Sequence, residues 1–300
     1  MIAWLYRLLS LSRGLGVWIV ALFAWFVSTG YFVFYPGRVR TSLALYAAAF
    51  PERGWWSRLA LTWRQFHNFS SLFAERLRLG RGGAFETERI GFEHVERLAH
   101  SGSGGILLMS HMGAWEAAAR IFKRRKIPLM LFMGQRQREQ VEKMQKDDLR
   151  EGGVSLIVAS EQGGGSLDSL EGLSFLRKGG LISFAGDRLW AEGQRSVEVD
   201  FLGHKALVPA GPHLFALASG AEICVFFVLR SGRRKYRLEA MEPFRVEAAT
   251  RADRWPAIER SAQAYARNLE DVLRRYPSQW YHFEDFLLSG NRGNRGTLVP

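Results

Sequence analysis

The sequence carries one cysteine, Cys224, in 300 residues. A single thiol cannot close an intrachain disulfide or build a cysteine-ligated zinc site, so disulfide-stapled secreted folds and zinc fingers are excluded. It falls in the apolar run ICVFFVL (residues 223–229), where a buried core position is expected. No G-x-S-x-G elbow is present, so that type of serine nucleophile is absent. Acidic residues are scarce, 29 Asp and Glu against 41 Lys and Arg, which leaves a net charge of +12. That excess suits anionic lipid head groups or an acidic carrier protein. The basic residues are scattered, and no RNA-binding aromatic motif or helix-turn-helix accompanies them. Nucleic acid is therefore not an expected partner.

Charge is missing altogether from residues 15–35, LGVWIVALFAWFVSTGYFVFY. At about 1.5 Å per residue, a helix of about twenty such residues matches the ~30 Å hydrocarbon core of a bilayer. The run is too long and too aromatic for a cleaved signal peptide. Residues 1–40 are expected to form a membrane anchor and residues 41–300 the catalytic domain. Arginines flank the run on both sides, at Arg7 and Arg13 and at Arg38, Arg40, Arg53 and Arg58. Positive-inside reasoning mildly favours a cytoplasmic C-terminal bulk, while a helix that dips in and returns also fits.

What is abundant is aromatic: ten tryptophans and 21 phenylalanines. From residue 51 to 79 they recur at helical spacing, Trp55, Trp56, Trp63, Phe66, Phe69 and Phe73, predicting an amphipathic helix with a wide aromatic face. Beyond it, short apolar runs alternate with helical patterns. Strands are expected at 104–110, 128–132, 154–159, 181–185, 222–229 and 235–241. Helices are expected at 115–126, 138–150, 167–178, 211–219 and 255–276, with a glycine-rich turn at 161–165. This alternation predicts an α/β domain with a mostly parallel central sheet flanked by helices.

Reactive groups in such folds gather at the carboxyl ends of strands. SHMGAWE follows the strand predicted at 104–110 and opens a helix, placing His111 and Glu116 five residues apart at that junction. With His111 just before the helix and Glu116 in its first turn, the carboxylate can fold back on the imidazole, helped by Gly113. A neutral imidazole takes the proton of an acceptor, and a carboxylate holds its tautomer. No enzyme nucleophile is needed if the acceptor attacks a thioester directly. The spacing alone is also compatible with a structural His–acid pair.

Four ordered blocks carry a resemblance. LLMSHMGAWE resembles the H-x4-D/E motif of the lysophospholipid acyltransferase superfamily, above all its late lipid A (lauroyl and myristoyl) acyltransferase branch. LRKGGLISFAGD, VDFLGHKALVPAGPHLFALASGAEICVFF and RYPSQWYHFEDF are similar to later blocks of that branch. The resemblance implies a glycerol-3-phosphate acyltransferase-like fold with an N-terminal hydrophobic membrane-anchor helix. It implies fatty acyl transfer from acyl carrier protein or coenzyme A to a membrane lipid, at the cytoplasmic face of a bacterial inner membrane. No cofactor and no metal are implied. His111 would be the base and Glu116 its partner, while Asp187 and Arg188 would shape the substrate site. The family's arginine-rich block survives loosely, leaving Arg136 and Arg138 as candidate anion contacts. Lipid A precursor, ornithine lipid, phosphoinositide mannoside, a polyene lipid and a lysophospholipid stay open as acceptors. Two other functions share these residues: a membrane-associated thioesterase or lipid hydrolase, and a non-catalytic lipid-binding protein.

Overall fold

A computed structural model describes residues 15–80, 85–134, 155–159, 166–190 and 193–288. Three helices open the chain: α1 (Leu15–Phe34), α2 (Pro36–Ala49) and α3 (Trp55–Gly80). Pro36 starts α2, where its missing N–H costs nothing. The axes of α1 and α2 diverge by 87°. No single described helix is long and apolar enough to cross a membrane; the bent pair meets that test only jointly. Helix α2 runs across the boundary expected at residue 40. Its Leu45, Tyr46 and Ala49 are buried in the same core as the sheet.

The remaining described elements are β1 (Glu86–Ile90), α4 (Phe92–His100), β2 (Gly105–Met109), α5 (Trp115–Arg124), β3 (Leu129–Gly134), β4 (Ser155–Ala159), α6 (Ser166–Arg177), β5 (Leu181–Ala185), β6 (Ser196–Phe201), β7 (His204–Pro209), α7 (Gly211–Ser219), β8 (Ile223–Gly232), β9 (Lys235–Ala240) and α8 (Arg254–Arg275). Seven strands form one sheet in the order β1-β9-β8-β2-β5-β3-β4, and β6 pairs with β7 separately. The five strands from β8 to β4 are mutually parallel. β9 turns antiparallel on β8, and β1 lies parallel to β9. The sheet is thus mostly parallel with helices around it, as the alternation predicts.

Successive residues of the central strands feed opposite faces. Leu108 and Phe227 join one core with Tyr265 and Trp280; Leu107 and Phe226 join the other with Phe92 and Phe122. Strand β1 escapes the sequence reading because ETERI is exposed throughout, with no apolar alternation to reveal it. Helix α4 is likewise an addition. The helix expected at 138–150 and the turn at 161–165 lie outside the described residues.

One buried group makes the fold sensitive to acid. His213 on α7 is fully buried and its Nδ1 pairs with Ser261 Oγ of α8 at 2.7 Å. Burial pushes its pKa down to about 4, from 6.5. The unfolded chain therefore takes up the proton first as pH falls. Stability is expected to decline from about pH 6.5 to about pH 4, by about 3 kcal/mol from this group. Urea unfolding at pH 7 and pH 4.5 should show the loss, and His213→Gln should shrink it. An unchanged pH dependence in that variant would assign the effect elsewhere.

Candidate active site

Strands β2 and β5 are parallel neighbours whose last register pair is Met109 with Ala185. Each chain continues two residues past that pair, one to His111 and the other to Asp187. Matching ends of parallel strands therefore bring together residues 76 apart in sequence. The Gly186 N–H extends the ladder to the Met109 carbonyl at 2.8 Å. Gly186 has no room for a side chain: a Cβ there would stand 2.7 Å from the ring of Tyr265, whose hydroxyl donates to the same carbonyl at 3.1 Å.

The contact between the two ends is complete. His111 Nδ1 lies 2.8 Å from Asp187 Oδ1, and the His111 backbone N–H donates to Oδ2, also at 2.8 Å. A third donor, Trp280 Nε1–H, reaches Oδ2 at 2.8 Å. The Asp187 side chain is 0% exposed, whereas 20% of the His111 side chain remains open. Burial works to raise the Asp187 carboxyl. The charge and hydrogen bond of His111, the charge of His282 and the Trp280 indole outweigh it, and the carboxyl is held well below the usual range. An ionised acid on Nδ1 makes that nitrogen the proton carrier and leaves Nε2 as the free acceptor.

Asp187 was expected as a substrate contact. Its side chain is buried, and its oxygens meet His111 and Trp280. Glu116 stands in the first turn of α5, and its side chain lies outside the described residues. The carboxylate observed on His111 Nδ1 is thus Asp187. Gly113, expected to ease the approach of Glu116, makes a close approach of its own to β8. It has φ +66°, and a Cβ would fall 2.1 Å from the Val228 carbonyl. This close approach lets the Gly113 N–H donate to Gln279 O at 2.8 Å and the Ala114 N–H to Val228 O at 2.7 Å. The Tyr281 N–H in turn donates to His111 O at 2.8 Å. The His111 turn is therefore held between β8 and the segment after α8.

Beside His111 opens an apolar pocket between the sheet and α5. Met109, Ala118, Leu131, Phe132, Phe184 and Trp190 line it, with Ser110 and Ser183 at its polar edge. The Trp190 ring centre lies 5.6 Å from that of His111. Arg188 is half-buried, with Cζ 5.5 Å from the Trp190 ring. Its Nε is buried and has no hydrogen-bond partner among the described residues. Arg136 and Arg138 lie outside the described residues. Among the described residues, no group of three or more His, Cys, Asp or Glu could hold a metal ion.

Trp280 was the residue that sequence reasoning missed. It sits in the quoted block RYPSQWYHFEDF, but a tryptophan reads as core unless its N–H has a known destination. Its place in one quoted block, with Asp187 ending another, was the only available signal.

With this geometry in place, the chain was compared with known proteins. Residues 17–288 match the family model described as bacterial lipid A biosynthesis acyltransferase. Comparison with curated proteins finds no match.

Proposed function

The chain belongs to the bacterial lipid A biosynthesis acyltransferase family and is a lipid acyltransferase, and from that premise we propose how it works. It moves a fatty acyl group from a thioester of acyl carrier protein or coenzyme A to a hydroxyl or amine of a membrane lipid, with His111 as general base. The observation that carries this reading is the imidazole at the edge of an apolar pocket with its Nδ1 on a buried, ionised Asp187.

The acyl chain enters the apolar pocket, each buried CH2 contributing about 0.8 kcal/mol. Nε2 takes the acceptor's proton as its oxygen or nitrogen attacks the thioester carbonyl carbon. Asp187 stabilises the resulting imidazolium. The C–S bond of the tetrahedral intermediate then breaks, and the leaving thiolate takes the proton from His111. General-base catalysis of this kind supplies about 10²–10⁴-fold. No covalent acyl-enzyme is formed.

The N–H groups of Gly113 and Ala114 are committed to backbone carbonyls. The oxyanion, or an acceptor phosphate, must therefore find another donor. Arg188, half-buried beside Trp190 at the pocket, supplies it through its guanidinium. Arg136 and Arg138 add anion contacts, and Glu116 adds a second acid at the start of α5. The net charge of +12 attracts an acidic carrier protein and mainly speeds its arrival. The protein works on the cytoplasmic face of the inner membrane, where its acceptor resides.

The test is transfer of radiolabelled acyl chains into a total membrane-lipid extract, with products separated and identified. Wild type is expected to label a lipid, and His111→Ala to label none while remaining folded. Label released only as free fatty acid would replace this reading with a hydrolase. Equal inertness of both proteins with every donor would favour a lipid-binding role. Glu116→Gln in the same assay measures what the second acid contributes beside Asp187.

A further inference from the structure

We infer that the tip of the β8–β9 hairpin is the docking point for an acidic acyl carrier protein, whose carboxylates meet Arg233 and Arg234. This rests on the acyl-transfer reading above and names the surface and the donor that reading leaves open.

The tip leaves the sheet on the active-site side. β8 is parallel to β2, so it exits by the edge at which β2 delivers His111. Gly113, two residues past His111, bridges to Val228 of β8. From there β8 continues through Arg230, a bulge at Ser231 and Gly232 to a two-residue turn, Arg233 and Arg234, before Lys235 opens β9. Five residue steps separate Val228 from Arg233, about 16 Å at about 3.3 Å each.

The base of the hairpin is joined to the His111 turn. The Gln279 side chain pairs with both backbone groups of Arg230, accepting from its N–H and donating to its carbonyl, each at 2.9 Å. The Gln279 carbonyl is the one that accepts the Gly113 N–H. The Arg230 guanidinium is tied into α3, donating to Ser71 Oγ and the Asn68 carbonyl. Whatever docks at the tip is thereby held at a fixed distance from His111.

The tip itself is built for an anion. Arg233 and Arg234 are exposed, and neither forms an ion pair among the described residues. Lys235 beside them does, with Glu86 at 2.9 Å. Arg234 holds φ +60°, a left-handed conformation open to glycine and unfavourable to a long side chain. A turn that needed only to be soluble would take glycine or asparagine there. An arginine in that conformation is backbone strain of the kind found at binding sites. Its planar fork meets a carboxylate with two parallel N–H bonds.

The distance selects the occupant. A carrier protein holds its acyl chain on a phosphopantetheine arm of about thirteen bonds, the reach of about four extended residues or about 15 Å. A carrier resting on Arg233 and Arg234 therefore brings its thioester to His111. A two-residue tip is convex and offers no enclosure to the nucleotide of coenzyme A. An anionic bilayer would press on exposed Glu86 along with the tip, whereas a folded carrier can meet the tip alone.

The test compares the full chain with its Arg233→Glu/Arg234→Glu variant, using a fluorescently labelled bacterial holo-acyl carrier protein. Anisotropy is expected to give a Kd weaker by about tenfold or more in the variant, and the difference should close as salt rises. Transfer into a membrane-lipid extract is then read with lauroyl-acyl carrier protein, lauroyl-coenzyme A and lauroyl-pantetheine, which present the same thioester. KM for the carrier donor is expected to rise by about tenfold or more, with kcat and KM for lauroyl-pantetheine unchanged. Arg234→Gly removes one contact together with the left-handed strain, so it should unfold at a higher denaturant concentration while binding the carrier more weakly. Equal carrier binding by wild type and the double variant, or losses of one size with every donor, overturns the inference. So does a loss confined to lauroyl-coenzyme A, which gives the tip to nucleotide phosphates. Loss of flotation with anionic vesicles while carrier binding stays intact overturns it too, and gives the tip to lipid. Transfer from lauroyl-pantetheine by a wild type that binds no carrier overturns this inference alone. A wild type that binds the carrier but is inert with every donor overturns the acyl-transfer reading and leaves the docking surface assigned.

Discussion

Asp187→Asn is expected to lower kcat for acyl transfer by about 10⁴-fold, the scale on which a catalytic imidazole loses function when its carboxylate becomes an amide. The cause here is specific. Two N–H groups, from the His111 backbone and Trp280, converge on Oδ2. In the variant they hold the amide oxygen at that position, because an NH2 group there would face two donors. The amide nitrogen must then point at His111 Nδ1, which is forced to accept. The imidazole proton moves to Nε2, and the base is lost while its position is kept. Trp280→Phe removes one of the two donors and leaves a similar ring. It is expected to lower kcat by about 10- to 100-fold, the worth of one hydrogen bond to a charged group, with KM little changed. Steady-state kinetics on folded protein check both. A Trp280→Phe enzyme with a raised KM and intact kcat would mean that the indole shapes the pocket and does not position the acid.

Gly113→Ala is the second large effect, and it falls on stability. A loss of about 4 kcal/mol is expected, at the exceptional end for single substitutions. Part is the left-handed conformation, which costs an L side chain about 1–2 kcal/mol. The rest is the Cβ placed 2.1 Å from the Val228 carbonyl, which cannot be relieved without breaking the hydrogen bonds to Gln279 and Val228. Gly203 separates the two causes, since it has φ +76° with nothing within 4 Å of a Cβ. Gly203→Ala should cost only the conformational share. Equal losses in the two variants, measured by denaturant unfolding, would remove the close approach from the account.

Much of this architecture is legible in the sequence because it is local. The strand predicted at 181–185 and the helix predicted at 211–219 match the observed bounds, since strong apolar runs and glycine stops lie within a few residues of one another. His111 stands out for the same reason, at a strand end with a turn after it. Its partner does not. Glu116 is the acid that sequence proximity offers, while the register of two parallel strands brings Asp187 to Nδ1. Register is a property of the assembled sheet, which neighbouring residues do not encode. Trp280 was hidden in a similar way, because its role is defined by where its N–H ends.

The group of His111, Asp187 and Trp280 also has an order of manufacture. Ribosomes deliver His111 first, Asp187 76 residues later, and Trp280 after α8, followed by Tyr281, whose N–H closes on the His111 carbonyl. A nascent or truncated chain ending before α8 holds an imidazole whose acid partner lacks the indole donor and whose turn lacks its clamp. Activity is therefore expected to need the stretch that follows α8 as well as the two strand ends.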